Sequence, residues 1–147
     1  MSESAGALKI LLIEDNRADV RLTIEAIRDA GLSSNLFTAR DGRDALDHLR
    51  GEGAYEEPAK PDLILLDLNL PNLDGRQVLA EIKNDDSLKH IPVIVLTTSE
   101  NEEDVLQVYR AHANCYLTKP IDLDEFIDLV KAIEEFWLRR VQLPPRG

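Results

Sequence analysis

Asp62-Leu63-Ile64-Leu65-Leu66-Asp67-Leu68-Asn69-Leu70-Pro71-Asn72-Leu73-Asp74-Gly75 is the stretch on which the fold turns. Four consecutive apolar residues between two aspartates read as a strand buried on both faces, as in a parallel sheet; a strand with one wet face would alternate. The turn from Leu70 to Gly75 leads into Val78, Leu79 and Ile82, spaced for one face of a helix. Upstream, Gly51 to Pro61 is a loop by composition, preceded by a helix carrying Ala45, Leu46 and Leu49 behind Asp41-Gly42. Asn35–Ala39 is a weaker strand. Leu8–Ile13 is a strand that stops at Glu14-Asp15-Asn16, and Val20, Ile24 and Ile27 mark a helix closed by Gly31. Downstream, Ile91–Leu96 is a fourth strand and Ser99-Glu100-Asn101-Glu102 matches a capping box ahead of Val105, Val108 and His112. Cys115-Tyr116-Leu117 is a short fifth strand before Lys119-Pro120. Asp122 with Glu125 starts a last helix that is expected to run to about Gln142, before Pro144-Pro145. Five strands alternating with five helices imply an α/β domain, a doubly wound parallel sheet with helices on both faces.

The chain has 147 residues, with 17 Lys+Arg against 28 Asp+Glu, a formal charge of −11. That length suits one domain with a core of its own. With 44% hydrophobic and 31% charged residues, the chain is too apolar for disorder. Apolar runs such as Ile10-Leu11-Leu12-Ile13 fall far short of the roughly 18–20 residues of a membrane helix, so no membrane role is expected. Met1–Ala7 carries no basic region followed by an apolar one, hence no export signal. The single cysteine, Cys115, permits neither an internal disulfide nor a thiolate cage and suits a reducing, cytoplasmic setting. The negative balance argues against nucleic acid as a partner.

In sheets of this kind, sites form beyond the carboxyl ends of the strands. There the sequence puts Glu14-Asp15 after strand one, Asp67 after strand three, Thr97-Thr98 at the end of strand four and Lys119 after strand five. Singly, each has an ordinary explanation: acids favour turns, threonine favours strands and a lysine is usually solvated. Together they describe a Mg²⁺ site around an acceptor carboxylate. Crowded carboxylates need a cation, and Mg²⁺ takes an octahedron of oxygens from one or two carboxylates, waters and a phosphoryl group. Asp15 and Asp67 would be direct ligands, with the Asn69 main-chain carbonyl a third and Glu14 acting through water. A carboxylate can attack phosphorus to form an aspartyl phosphate; Thr97 and Lys119 would then stabilise the phosphoryl oxygens. Neither GxxxxGK[ST] nor GxGxxG offers a rival phosphate cradle.

Ile13-Glu14-Asp15-Asn16, Asp62–Pro71 with Asp74-Gly75, Val95-Leu96-Thr97 and Tyr116-Leu117-Thr118-Lys119-Pro120 resemble the receiver domains of two-component response regulators over roughly residues 8–135. The resemblance implies a flavodoxin-like sheet of order 2-1-3-4-5, phosphorylation of Asp67 by a sensor histidine kinase, and slow self-dephosphorylation without stand-alone enzymatic activity. It implies Mg²⁺, with Mn²⁺ or Ca²⁺ able to substitute in vitro. Thr97 and Tyr116 match the family's switch pair, Thr98 adjoins the phosphoryl site, and Lys119–Pro120 matches a peptide bond that is usually cis. Asn16, Ala18, Asp19 and Leu22 fall where the family meets its kinase. Asp67-Leu68-Asn69-Leu70-Pro71, the long loop before strand three and Ala113-Asn114-Cys115-Tyr116 with Phe136-Trp137-Leu138 look like the single-domain regulators paired with phytochrome-type kinases. Glu14, Thr98 and His112 depart from the broad pattern, which often has Asp, Ala and Gly there. The expected division is a disordered start over 1–7, the receiver domain over 8–142 with its long last helix from about 122, and a tail over 143–147, with no DNA-binding output domain.

The last helix, roughly 30 Å long, would overhang strands of about 17–20 Å. Its apolar face, with Phe126, Phe136, Trp137, Leu138 and Val141, is wider than docking requires. A homodimer through the fourth helix, fifth strand and fifth helix is the expectation, against a tail folded back on its own domain. His48, His90 and His112 have no ligand spacing, and Glu100, Glu102, Glu103 and Asp104 read as a solvated helix start. Two rivals to the phospho-acceptor reading are a Mg²⁺-dependent phosphatase with an aspartate nucleophile and an interaction module independent of phosphorylation. The first usually sets its nucleophile after strand one beneath a cap, and no cap-sized insertion exists here. The second would be favoured by loss of Asp67 or Lys119, and both are present.

Overall fold

A computed structural model describes residues 8–29 and 34–145. The expected disordered start over 1–7, the helix closure at Gly31 and the last two residues of the tail lie outside the described residues. In chain order the elements are β1 (Leu8–Ile13), α1 (Arg17–Asp29), β2 (Ser34–Ala39), α2 (Gly42–Arg50), β3 (Leu63–Leu66), α3 (Gly75–Asn84), β4 (Val93–Thr97), α4 (Glu102–Arg110), β5 (Cys115–Thr118) and α5 (Leu123–Ile133). The sheet is wholly parallel and its order is β2-β1-β3-β4-β5, as the receiver resemblance implies.

Each residue of β3 is buried. Alternate side chains serve opposite layers, as a period of two demands. Leu11, Ile13, Ile64 and Leu66 pack with Leu46, Val78, Leu79 and Val108 under α2, α3 and α4. Ile10, Leu12, Leu63 and Leu65 pack with Ala26, Ile27, Phe126 and Val130 under α1 and α5. Fully burying side chains of this size contributes roughly 1.5–3 kcal/mol each.

Helix starts follow local side-chain chemistry. Asp41 caps α2 by accepting from Asp44 N, and Asp74 forms a reciprocal capping box with Gln77 on α3. Asp122 caps α5 as expected. The capping box expected at Ser99 is not the start of α4. Asn101 is the cap, accepting from Glu103 N at 2.8 Å, because Ser99 Oγ is engaged with Asp104 Oδ2 at 2.7 Å.

The last helix also differs from expectation. The α winding ends at Ile133 and a π-wound turn runs over Glu134–Arg140, ending short of Gln142. Val141 N reaches back five residues to Phe136 O. With five-residue bonding, positions four and five beyond Ile133 share a face, and Trp137 and Leu138 both pack against the core beneath α1 and α5. That turn carries Glu134 inside: it is 2% exposed and neither carboxylate oxygen has a hydrogen-bond partner. Burial pushes its pKa up to about 7, against the opposing charges of Arg139 and Lys131.

Candidate functional site

Parallel pairing continues just past the strands and fixes the site's backbone: Glu14 N donates to Ala39 O and Asp67 N to Ile13 O, both at 3.0 Å. Lys119 N donates to Thr97 O at 2.7 Å. Gly75 completes the frame. A Cβ there would stand 2.4 Å from the Asp67 carbonyl oxygen and 2.6 Å from Leu68 Cα, so only glycine lets α3 start against this chain.

On that frame, carboxylate oxygens of Glu14, Asp15 and Asp67 come within 4.8 Å of one another, Asp15 being exposed and the other two buried. The Lys119 ammonium, also buried, donates to Glu14 Oε2, to Asp19 Oδ2 at 2.8 Å and to Asp67 Oδ2 at 3.4 Å. Asn69 N donates to Asp67 Oδ1 at 3.3 Å and Asn16 N to Glu14 Oε1 at 3.2 Å. Burial holds the Glu14 carboxyl up at about 7; the Lys119 hydrogen bond lowers it, while the nearby Asp67 charge raises it. Lys119 is held above its ordinary range. Burial opposes its charge, but the bonds to Asp19 and Glu14 and the charge of Asp67 outweigh that.

Three carboxylates, of Glu14, Asp19 and Asp67, thus share one ammonium, and Asp15 adds a fourth charge that faces solvent. That donor set, all hard oxygens, fits a divalent cation of the Mg²⁺ type. Thr97 ends β4 fully buried, and its hydroxyl oxygen has no partner. An unsatisfied buried hydroxyl costs about 1–3 kcal/mol, which the fold has kept at the strand next to β3. Thr98 is exposed and lines a shallow depression with Lys119 and Pro120.

Two features of the sequence reading change. The Lys119–Pro120 bond is not cis: every peptide bond among the described residues is trans. Trans is favoured before proline by about 0.5–1 kcal/mol, and in this form the lysine already reaches all three carboxylates. Phe126 has no surface to give a second chain, since it is 4% exposed and packs beneath α5. Trp137 and Leu138 are partly committed to the same core, and Val141 is half-buried. Phe136, at 54% exposure, is the open member of that expected set, and Leu106, Tyr109 and Leu123 add to the exposed apolar surface of α4 and α5.

Of the residues expected at the kinase face, Asn16 and Ala18 are exposed and Leu22 is half-buried, while Asp19 is tied to Lys119. That tie spans 100 positions and no local spacing announces it. A second network also escaped the sequence. Arg76 bridges Asp74 and Asp104, Ser99 Oγ donates to Asp104, and Tyr116 Oη donates to the Ser99 carbonyl at 2.8 Å. Asp104 is therefore a tether between α3 and α4, not a solvated acid; its carboxyl lies below the usual range through the Ser99 and Arg76 bonds. His112 adopts φ 73°, the left-handed conformation in which glycine is at ease, which accounts for the glycine expected there.

The response regulator receiver domain profile matches residues 10–131, and the chain belongs to that family. Within it, the response regulator Rcp1 of Synechocystis sp. is 50% identical over 145 residues, covering 98% of this chain and 99% of Rcp1. The crystal structure of the Mn²⁺-bound form of Rcp1 superposes with a TM-score of 0.90 at 51% identity, covering 94% of this chain and 99% of that one. The phosphorylated cyanobacterial phytochrome response regulator RcpA superposes at 0.91 with 52% identity, covering 95% and 99%. The resemblance to phytochrome-associated regulators read from the sequence is thus present along nearly the whole chain.

Proposed function

We propose that Asp67 is the acceptor of a phosphoryl group from the phosphohistidine of a sensor histidine kinase, and that the modified protein signals through protein contacts. The observation that carries this is the buried Asp67 carboxylate held between Asn69 N, Lys119 Nζ and the Glu14–Asp15 pair. An Asp67 oxygen attacks phosphorus, the bond between phosphorus and the kinase imidazole nitrogen breaks, and the imidazole leaves with its electron pair. Lys119 is placed to neutralise a phosphoryl oxygen, and the unpartnered Thr97 hydroxyl to donate to another. Thr98 borders the phosphoryl site, and Tyr116, bonded to the loop after β4, is the aromatic half of the switch. Glu14, Asp15, Asp67 and the Asn69 carbonyl would hold the Mg²⁺ ion, which supplies charge neutralisation when bound.

Relatives that bear the phytochrome name support a phytochrome-type kinase as the donor, which would dock on Asn16, Ala18, Asp19 and Leu22. Self-association through α4, β5 and α5 is part of the reading, supported by the exposed Phe136, Leu106, Tyr109 and Leu123. No described helix is long and apolar enough to cross a membrane; a cytoplasmic setting and the 8–142 domain limits belong to the same proposal.

Intact mass after incubation with acetyl phosphate and Mg²⁺ tests the acceptor. One added phosphoryl group, absent without Mg²⁺ and absent in Asp67→Asn, is expected. Absence of the adduct, together with failure to bind beryllofluoride, would overturn the reading.

A further inference from the structure

A groove of about 620 Å³ lies between α1 and the carboxyl end of the edge strand β2. Arg17, Arg21 and Arg28 of α1 and Arg40 just beyond β2 line it, with Val20 and Ile24 between them. All four arginines are exposed. Among the described residues none of their guanidiniums makes an ion pair or hydrogen bond. By contrast, Arg50 and Arg76 are each held by two carboxylates, and Arg139 and Arg140 close on Glu135. Arg17 is also the first residue of α1, where the positive end of the helix dipole disfavours a cation. Four guanidiniums without an ion pair, on a chain of net charge −11 and although Glu14, Asp15 and Glu25 line the same groove, are a local conflict of the kind that marks a binding surface.

The charges form a line, not a pocket. Arg17 and Arg28 are separated by roughly 16 Å along the helix at 1.5 Å per residue, about the length of five extended residues. Such a line does not converge on one small anion. It fits a run of carboxylates on another chain, whose apolar side chains rest on Val20 and Ile24. Glu14, Asp15 and Glu25 line the groove as well; Glu14 bonds to Ala39, so Arg40 and Arg17 stand at the acceptor end and the acidic run centres on Arg21 and Arg28. This side of α1 is not that of Asp19, which turns to Lys119. We propose that the groove docks an acidic segment of a partner protein, paired with the guanidiniums of Arg17, Arg21, Arg28 and Arg40. The proposal goes beyond the phospho-acceptor reading and stands without it.

Amide NMR of the full chain, titrated separately with hexaglutamate, hexalysine, tripolyphosphate and a single-stranded oligonucleotide, tests it. Hexaglutamate is expected to give saturable shifts centred on Arg21, Ile24 and Arg28, and hexalysine none there. The double variant Arg21→Glu/Arg28→Glu should weaken binding about tenfold or more, and raising salt from about 0.02 to about 0.3 M should do likewise. The variant's spectrum away from the groove reports that it is folded; Arg21→Gln/Arg28→Gln serves where charge reversal disturbs the fold. No shifts, or shifts indifferent to these substitutions, overturn the proposal. So does tighter binding of tripolyphosphate or oligonucleotide in the groove, or concentration-dependent shifts there without peptide, which would assign the face to phosphate, nucleic acid or a second copy.

Discussion

Replacing Glu134 by Gln should make the protein more stable, and by an amount that depends on pH. The carboxyl is buried in the π-wound turn with both oxygens unpartnered, and its pKa lies at about 7 against an ordinary 4.5. An acid whose folded-state pKa is raised holds its proton more tightly in the folded state. Stability therefore falls as pH rises from about 4.5 to about 7, and above that range the loss is complete. Each pH unit over which folded and unfolded chains hold the proton differently is worth about 1.36 kcal/mol, so the ceiling is near 3 kcal/mol. Relaxation of the turn and entry of water reduce it, and about 1–2 kcal/mol is expected at pH 8. Gln keeps the shape and removes the charge. The advantage of Glu134→Gln over wild type should be near zero at pH 4.5, grow through pH 6 and level off above 7. Urea unfolding of both proteins at several pH values measures it, the difference cancelling the other titrating groups, and a chain of this size suits two-state treatment. A difference that is flat with pH, or a variant less stable at pH 8, would refute the account of Glu134 as an uncompensated buried charge.

Thr97→Val removes a buried hydroxyl without a partner. It should stabilise the unmodified protein by about 1 kcal/mol while weakening beryllofluoride binding, and an unchanged affinity would detach Thr97 from the phosphoryl group. Lys119→Met leaves Glu14 and Asp67 buried without their cation, a loss of about 3 kcal/mol in metal-free buffer. Mg²⁺ should raise the melting temperature of this variant more than that of wild type, and equal responses would count against the acidic cluster as a cation site. Gly75→Ala drives a methyl into the Asp67 carbonyl; a loss of about 2 kcal/mol in urea is expected, and a neutral result would mean α3 can start elsewhere.

What could be read from the residues followed how local its physics was. β3 was legible because burial on both faces removes the alternation of an ordinary strand, and all four of its residues are buried. Asp122 was legible because a cap works within three residues. Ser99 misled because its hydroxyl has a better acceptor in Asp104, itself fixed by Arg76 from another helix. The π winding was hidden because Phe126, Val130, Ile133 and Trp137 fit α spacing just as well, and the fifth-residue bond depends on how Trp137 and Leu138 meet a core built from distant strands and helices. Glu14, Asp67 and Lys119 were found at strand ends, where topology alone brings them together. The stretch from Gly51 to Pro61 was read as a loop by composition, which says nothing of its contacts; Tyr55 stacks on His48 at 4.2 Å and donates to Asp44, which pins the loop to α2. Asp19 was given to the kinase face alone because its bond to Lys119 leaves no local trace.

An ammonium has three hydrogens, and that of Lys119 meets three carboxylates. A newcomer oxygen on Asp67 must therefore evict one of them. Asp19 is the easiest to evict, its side chain 24% exposed against 3% for Glu14 and 8% for Asp67, since water can take the place of the lost bond. It stands in the first turn of α1, partly open to water. On the proposed reading, loading the acceptor hands a free carboxylate to the helix where the donor rests. The lysine then works as a tally: a protein resting on α1 can distinguish a loaded acceptor from an empty one without touching it, and the donor meets a changed surface as soon as its group is gone.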